Sequence, residues 1–147
     1  HGKLEPWRFV VLEAPALARL GALAARRGAE RGEPPEALAK LCAQFDGAGL
    51  AVGVIAAPKP SPKIPEIEQH LSAGAVCLAL LNAALASGWG ANWLTGWPAL
   101  DRPFLEAGLG LAPHEFVAGF IHVGTETATP PDRPRPDLDA ITEWVAE

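Results

Sequence analysis

Methionine and tyrosine are absent from this chain of 147 residues, cysteine occurs only twice, and the 12 lysines and arginines form no block. Each shortage removes a class of protein. Cys42 and Cys77 lie far apart with no CxxC spacing and no third partner, so neither a disulfide framework nor a zinc ribbon can be built from them. Free thiols of this kind fit a reducing compartment, and the chain shows no signal-peptide pattern; a cytoplasmic location is expected. A formal net charge of −5 argues against a nucleic-acid surface, which needs a basic stripe. His1, His70, His114 and His122 are too dispersed for metal-ligand spacing, so no metal centre is expected. Without GxSxG, HExxH or a glycine-rich phosphate loop, neither hydrolase nor zinc-enzyme chemistry is indicated. The missing methionine and the start at His1, inside a polar segment leading to Pro6, raise the expectation that an N-terminal portion is absent. A site borrowing residues from it would look incomplete.

What is present is ample for one domain: 49% of the residues are apolar, enough for a sizeable core. Arg8 to Leu12 is β-branched and aromatic and reads as a strand. Ala16 to Arg27 is rich in helix formers, with Leu17, Leu20 and Leu23 on one face, and Gly28 to Pro35 reads as a loop. Pro35 opens a second helix through Phe45. Ala48 to Ala57 is a continuous apolar run of strand length, hence a central strand covered on both faces. The prolines of 58–65 cannot join a sheet. Asp101 to Gly108 reads as a short helix and Glu115 to Gly124 as a further strand. Strands interspersed with helices, without repeats, give an α+β domain with a mixed sheet spanning residues 1–147.

The stretch around which the rest is organised is Ile67 to Gly96. Leu71, Val76, Cys77, Leu80, Leu81, Ala84 and Leu85, with alanines between them, make a helix with almost no wet side. Such a helix is either internal or shared between two subunits. Ser72, Gly74 and Asn82 break the run and its flanks lack anchoring charges, so a membrane span is not expected. After Ser87-Gly88 ends the helix, Gly88 and Gly90 bracket a turn into Asn92-Trp93-Leu94-Thr95-Gly96, where backbone can approach a flat ligand closely. Tryptophans 7, 89, 93 and 97 and the cations Lys3 and Arg8 add flat, apolar, backbone-rich surface suited to a planar cofactor. The tail 125–147 holds Pro130, Pro131, Pro134 and Pro136. It reads as an extended arm, roughly 25 Å long over 129–136 at the polyproline rise, ending in Leu138, Ile141, Trp144 and Val145. That apolar end needs a surface, and a neighbouring subunit is the natural one.

Several segments together resemble the nitroreductase family, in particular its short bacterial NAD(P)H nitroreductase branch. They are His1-Gly2-Lys3-Leu4-Glu5-Pro6-Trp7-Arg8-Phe9, Lys63-Ile64-Pro65 with Glu68-Gln69, Leu71-Ser72-Ala73-Gly74-Ala75, Gly88-Trp89-Gly90-Ala91-Asn92-Trp93-Leu94-Thr95-Gly96, and Gly119-Phe120-Ile121-His122-Val123-Gly124-Thr125. They run the length of the chain in the family's order. The resemblance implies a homodimer built around a shared central helix, with FMN at the subunit interface and a C-terminal arm crossing to the partner. It further implies that His1 and Lys3 lie beside the flavin, with Trp93, Leu94, Thr95 and Gly96 on its other side. Residues Ala83, Ala84, Leu85, Ala86, Ser87 and Gly88 match a stretch tied to NAD(P) binding, and Arg133 and Arg135 are candidates for the FMN phosphate.

The implied chemistry is hydride transfer from NAD(P)H to the flavin, followed by reduction of a nitroaromatic or quinone-like acceptor. The flavin carries it, and no catalytic side chain is required. Other uses of a reduced flavin, such as dehalogenation or flavin breakdown, and a flavin-binding dimer without turnover are the alternatives. Three departures from the family pattern stand out. The phosphate-holding Arg-Arg-Ser segment is absent, together with the Pro-Asp expected before His1. Leu94 stands where arginine is frequent, and Gly49 replaces a proline.

Overall fold

A computed structural model describes residues 1–146. Its first strand, β1 (Trp7–Glu13), is followed by two helices, α1 (Ala14–Arg31) and α2 (Pro35–Asp46), then by β2 (Leu50–Ala56). The long helix α3 (Glu66–Ala86) leads to β3 (Gly90–Leu94), a 3₁₀ turn at Trp97–Ala99, α4 (Arg102–Leu109) and β4 (Phe116–Gly124). Residues 125–146 form no helix or strand and are exposed.

Helix α1 runs four residues beyond its expected end at Arg27. Gly28 does not break it, because that position faces α2 at a point where any Cβ would strike Leu38. The helix stops instead at Gly32, whose φ of 72° is left-handed, the usual glycine exit.

The sheet order is β1-β2-β4-β3. All three pairings are antiparallel, where a mixed sheet was expected. The connections explain this. Two helices carry the chain from β1 to β2, and a 3₁₀ turn plus a helix carry it from β3 to β4, so each returns the chain antiparallel. The single-helix crossover through α3 does set β3 parallel to β2, but β4 lies between them. Parallel strands exist in the fold without being neighbours.

Helices α1, α2 and α4 cover one face of the sheet, and α3 lies on the other. The first face holds the larger core, in which Leu17, Leu20 and Phe104 are fully buried and packed with Phe45, Ile55 and Phe120. Side chains of this size each stabilise by ~1.5–3 kcal/mol when buried. Beneath α3 the core is thin: Val54, Cys77 and Ile121.

The central helix is therefore not enclosed by its own chain. Only Gln69, Ala73 and Cys77 are buried along it, while Ile67, Leu71, Leu78 and Leu85 are 61%, 66%, 51% and 50% exposed. Leu71, Ala75, Leu78, Asn82 and Leu85, all exposed, recur at alternating spacings of four and three. That is the spacing of a coiled-coil seam. By length and composition α3 also meets the requirement for a membrane span, yet one of its faces is committed to the sheet.

Candidate active site

The helices on the larger-core face do not reach the β3 edge. Helix α2 ends at Asp46 and β2 begins at Leu50, leaving a strip of β4 and β3 uncovered. A cleft of about 1260 Å³ lies there, lined by the C-terminal turn of α2, by β3 and the end of β4, and by the chain that follows β4.

Strand register sets its floor. Side chains directly opposite across an antiparallel pair point to the same face, and His122 stands opposite Ala51 on one side and Asn92 on the other. The next rung on this face carries Phe120 and Leu94. His122, Asn92 and Leu94 all line the cleft, with Gln44 on α2 and Arg133 on the arm. The His122 ring meets Phe45 edge-on at 6.5 Å between centroids. Burial lowers its pKa below the ordinary histidine value, so the imidazole is neutral at pH 7, with one donor and one acceptor.

The nominated flavin-side residues are distributed unevenly. Leu94 and Arg133 share the cleft. Trp93 does not, because successive strand residues alternate faces: it stands opposite Ile121 and its indole lies against Gly119, where a Cβ would collide with it. Thr95 and Gly96 follow the last rung, both exposed. Gly96 has φ 67° and ψ −175°, a region that only glycine occupies without strain. The turn that follows is anchored from α1. Arg31 stacks its guanidinium 4.8 Å from the Trp97 ring, while Arg27 and Arg31 donate to Asp101 at 3.0 and 3.2 Å. The hydrogen bond from Arg27 is the main reason the Asp101 carboxyl titrates below its usual range. Asp101 also caps α4 by accepting from the Phe104 N–H.

His1 and Lys3 lie on the opposite margin. They precede β1, the other edge strand, and two strands separate that edge from β3, a span of roughly 14 Å at the normal strand spacing. The His1 ring packs edge-on against Trp7 at 5.8 Å, and Lys59 Nζ donates to the Leu4 carbonyl at 2.6 Å. Lys3 and Glu5 both hold positive φ, 70° and 48°, a costly conformation for non-glycine residues. His1 and Lys3 do not line the cleft that Leu94 and Arg133 share.

Residues 83–88 form the last turn of α3 and its exit. The N–H groups of Ser87, Gly88 and Trp89 donate back to Ala83, Ala84 and Leu85, so this turn offers a ligand apolar surface rather than free donors. Arg135 is exposed and does not line the cleft. Among the described residues no cluster of acidic, histidine or cysteine side chains could hold a metal. His122, Asn92 and Gln44 line the cleft without being among the residues to which the sequence points. The signal was available for His122: two residues beyond Phe120, it is the one polar side chain in the apolar run Val117–Val123.

Residues 1–125 match the model of the nitroreductase family. A protein of Haemophilus influenzae, provisionally named an NAD(P)H nitroreductase, is 32% identical over 127 residues, covering 85% of this chain and 68% of its own. The Escherichia coli K12 protein YdjA, named in the same provisional way, is 29% identical over 125 residues with the same coverages. A nitroreductase-like protein of Bacillus cereus superposes over 100% of this chain and 77% of its own with a TM-score of 0.79 at 20% identity. A provisionally named nitroreductase of Desulfovibrio desulfuricans, crystallised in complex with FMN, covers 95% of this chain and 73% of its own with a TM-score of 0.68 at 25% identity. The chain belongs to the nitroreductase family. It is, like these relatives, an enzyme of the oxidoreductase class.

Proposed function

We propose that this protein is an FMN-dependent NAD(P)H oxidoreductase, acting as a cytoplasmic homodimer that reduces nitroaromatic or quinone-like acceptors in two successive half-reactions. The observation that carries this reading is the cleft on the uncovered β4–β3 strip. It combines an apolar wall at Leu94, neutral hydrogen-bonding groups at His122, Asn92 and Gln44, one carboxylate at Glu126, and one cation at Arg133 on the arm. That composition fits a planar ring system with a polar, anionic tail. FMN, when bound, would supply the hydride-accepting and electron-donating centre. In this reading Arg133 meets the phosphate, Leu94 and the Thr95–Gly96 backbone lie along the ring, and the glycine-only conformation at Gly96 keeps that backbone close and free of a side chain.

Two chains complete the site. The uncovered leucine seam of α3 would pair with the same seam of a second copy, and His1 and Lys3 of that copy would reach the ring from the other side. Residues 83–88 and Arg135 remain candidates for contact with the nicotinamide nucleotide and the phosphate.

The test is the absorbance spectrum of the full-length protein. A flavin spectrum that bleaches with NAD(P)H and returns on adding a nitroaromatic is the expected result. Bleaching by dithionite alone would overturn the NAD(P)H assignment. A colourless protein that ignores added FMN would overturn the flavin reading.

A further inference from the structure

The larger-core face of the sheet is polar at two places, Arg8, which is paired with Glu115, and one rung further along that has no such partner. Along its rungs stand Leu12 and Ala51, then Val10, Phe120 and Leu94, yet the rung of Leu12 and Ala51 continues into His122 and Asn92. His122 is half-buried there, where a polar group without a partner gains nothing in stability, and Asn92 beside it is exposed and free to bind a ligand. Among the described residues neither His122 nor Asn92 makes a side-chain hydrogen bond within the chain, and both line the cleft.

Gln44 lines the same cleft from α2. Three neutral side chains, each with donor and acceptor capacity, thus line one hollow, while the cation Arg133 belongs to the arm. Charge at the floor would suit a phosphate or carboxylate, whereas neutral groups that both donate and accept suit hydroxyls. Glu126, which also lines the cleft, would likewise accept from a hydroxyl and repel an anion.

Resting on the flavin reading above, we propose that His122 and Asn92, with Gln44 facing them, bind the hydroxylated side chain of the flavin and so select flavins that carry a ribityl chain.

Binding of FMN, riboflavin and lumiflavin to the full-length protein, followed by quenching of flavin fluorescence, tests this. Lumiflavin keeps the ring and has no hydroxyl chain; riboflavin keeps the chain and has no phosphate. For His122→Leu and for Asn92→Leu, affinity for FMN and for riboflavin is expected to fall by about three- to tenfold each, the worth of one or two neutral hydrogen bonds, with lumiflavin affinity unchanged. His122→Gln, which keeps a donor and an acceptor, should restore most of the FMN and riboflavin binding. Asn92 is an exposed edge-strand residue, so its variant reports even if a change at His122 disturbs the sheet. Loss for FMN alone would assign these groups to the phosphate, and equal loss for all three would reduce them to packing. Either result, or no loss at all, overturns the inference. If the unaltered protein binds none of the three, the flavin reading itself has failed, and this inference with it.

Discussion

Arg8 and Glu115 show what single side chains contribute away from the cleft. Arg8 donates twice to the Glu115 carboxylate, at 2.6 and 2.8 Å, and the Ala112 N–H donates to the same carboxylate at 2.9 Å. These bonds, led by Arg8, hold the Glu115 pKa at about 2 against an ordinary 4.5, despite opposing burial. A depressed folded-state pKa gives stability that is complete above the unfolded value and is lost as pH falls through the folded one. Stability should therefore drop between pH 4.5 and about 2, and Glu115→Gln should cost about 1–3 kcal/mol at pH 7 while flattening that drop in urea titrations. His122 acts in a higher window. Its pKa is also depressed, so the unfolded chain takes up the proton first, and stability begins to decline as pH falls below the ordinary histidine value. In the proposed site Thr95 acts through its backbone N–H. Thr95→Pro removes it, and bound flavin should be lost while the association state is unchanged; flavin content measured at full occupancy would contradict the proposed ring contact.

At the scale of elements, α3 offers the sharpest experiment. Leu78→Glu changes an exposed residue if the protein works alone, and such changes usually stay within about 0.5 kcal/mol. In a helix-paired dimer the same change buries a charge, and self-association measured by sedimentation should weaken more than tenfold. Elements were largely legible in the sequence because they rest on local signals: the leucine spacing of α1, the proline openings of α2 and α4, and the apolar run of β2. The end of α1 was not, since Gly28 looks like a breaker until the Leu38 side chain is seen against it. Nor was the sheet order. Nothing local announces that β4 enters between β2 and β3, or that Arg8 will meet a carboxylate 107 residues away. Trp93 and Leu94 illustrate the intermediate case. As neighbours in sequence they were assigned to one wall of a ligand, while the strand period sends them to opposite faces.

For the whole molecule, most of the exposed large apolar groups fall in three sets, α3, Phe9 and Val11 on the edge strand β1, and Leu138, Ile141, Trp144 and Val145 on the arm, with Trp89, Trp93 and Leu100 outside them. Trp144, at 91% exposed, touches almost nothing. Removing the chain from Thr129 onward should leave the sheet and its thermal transition nearly intact, because the described residues beyond that point form no helix or strand. The dimer constant should weaken, and with Arg133 gone the preference for FMN over riboflavin should shrink. An unchanged dimer constant would remove the arm from the assembly.

The position of β4 also bears on how the protein comes to be made. The last of the described strands to leave the ribosome, it lies between β2 and β3, so until residues 116–124 emerge those two strands have no common neighbour to hold them. Unfinished chains would present two unpaired strand edges and the greasy long helix to their surroundings, the condition under which nascent proteins stick. Production should therefore be more sensitive to chaperone supply and to ribosome stalling late in the message than the size of the protein implies.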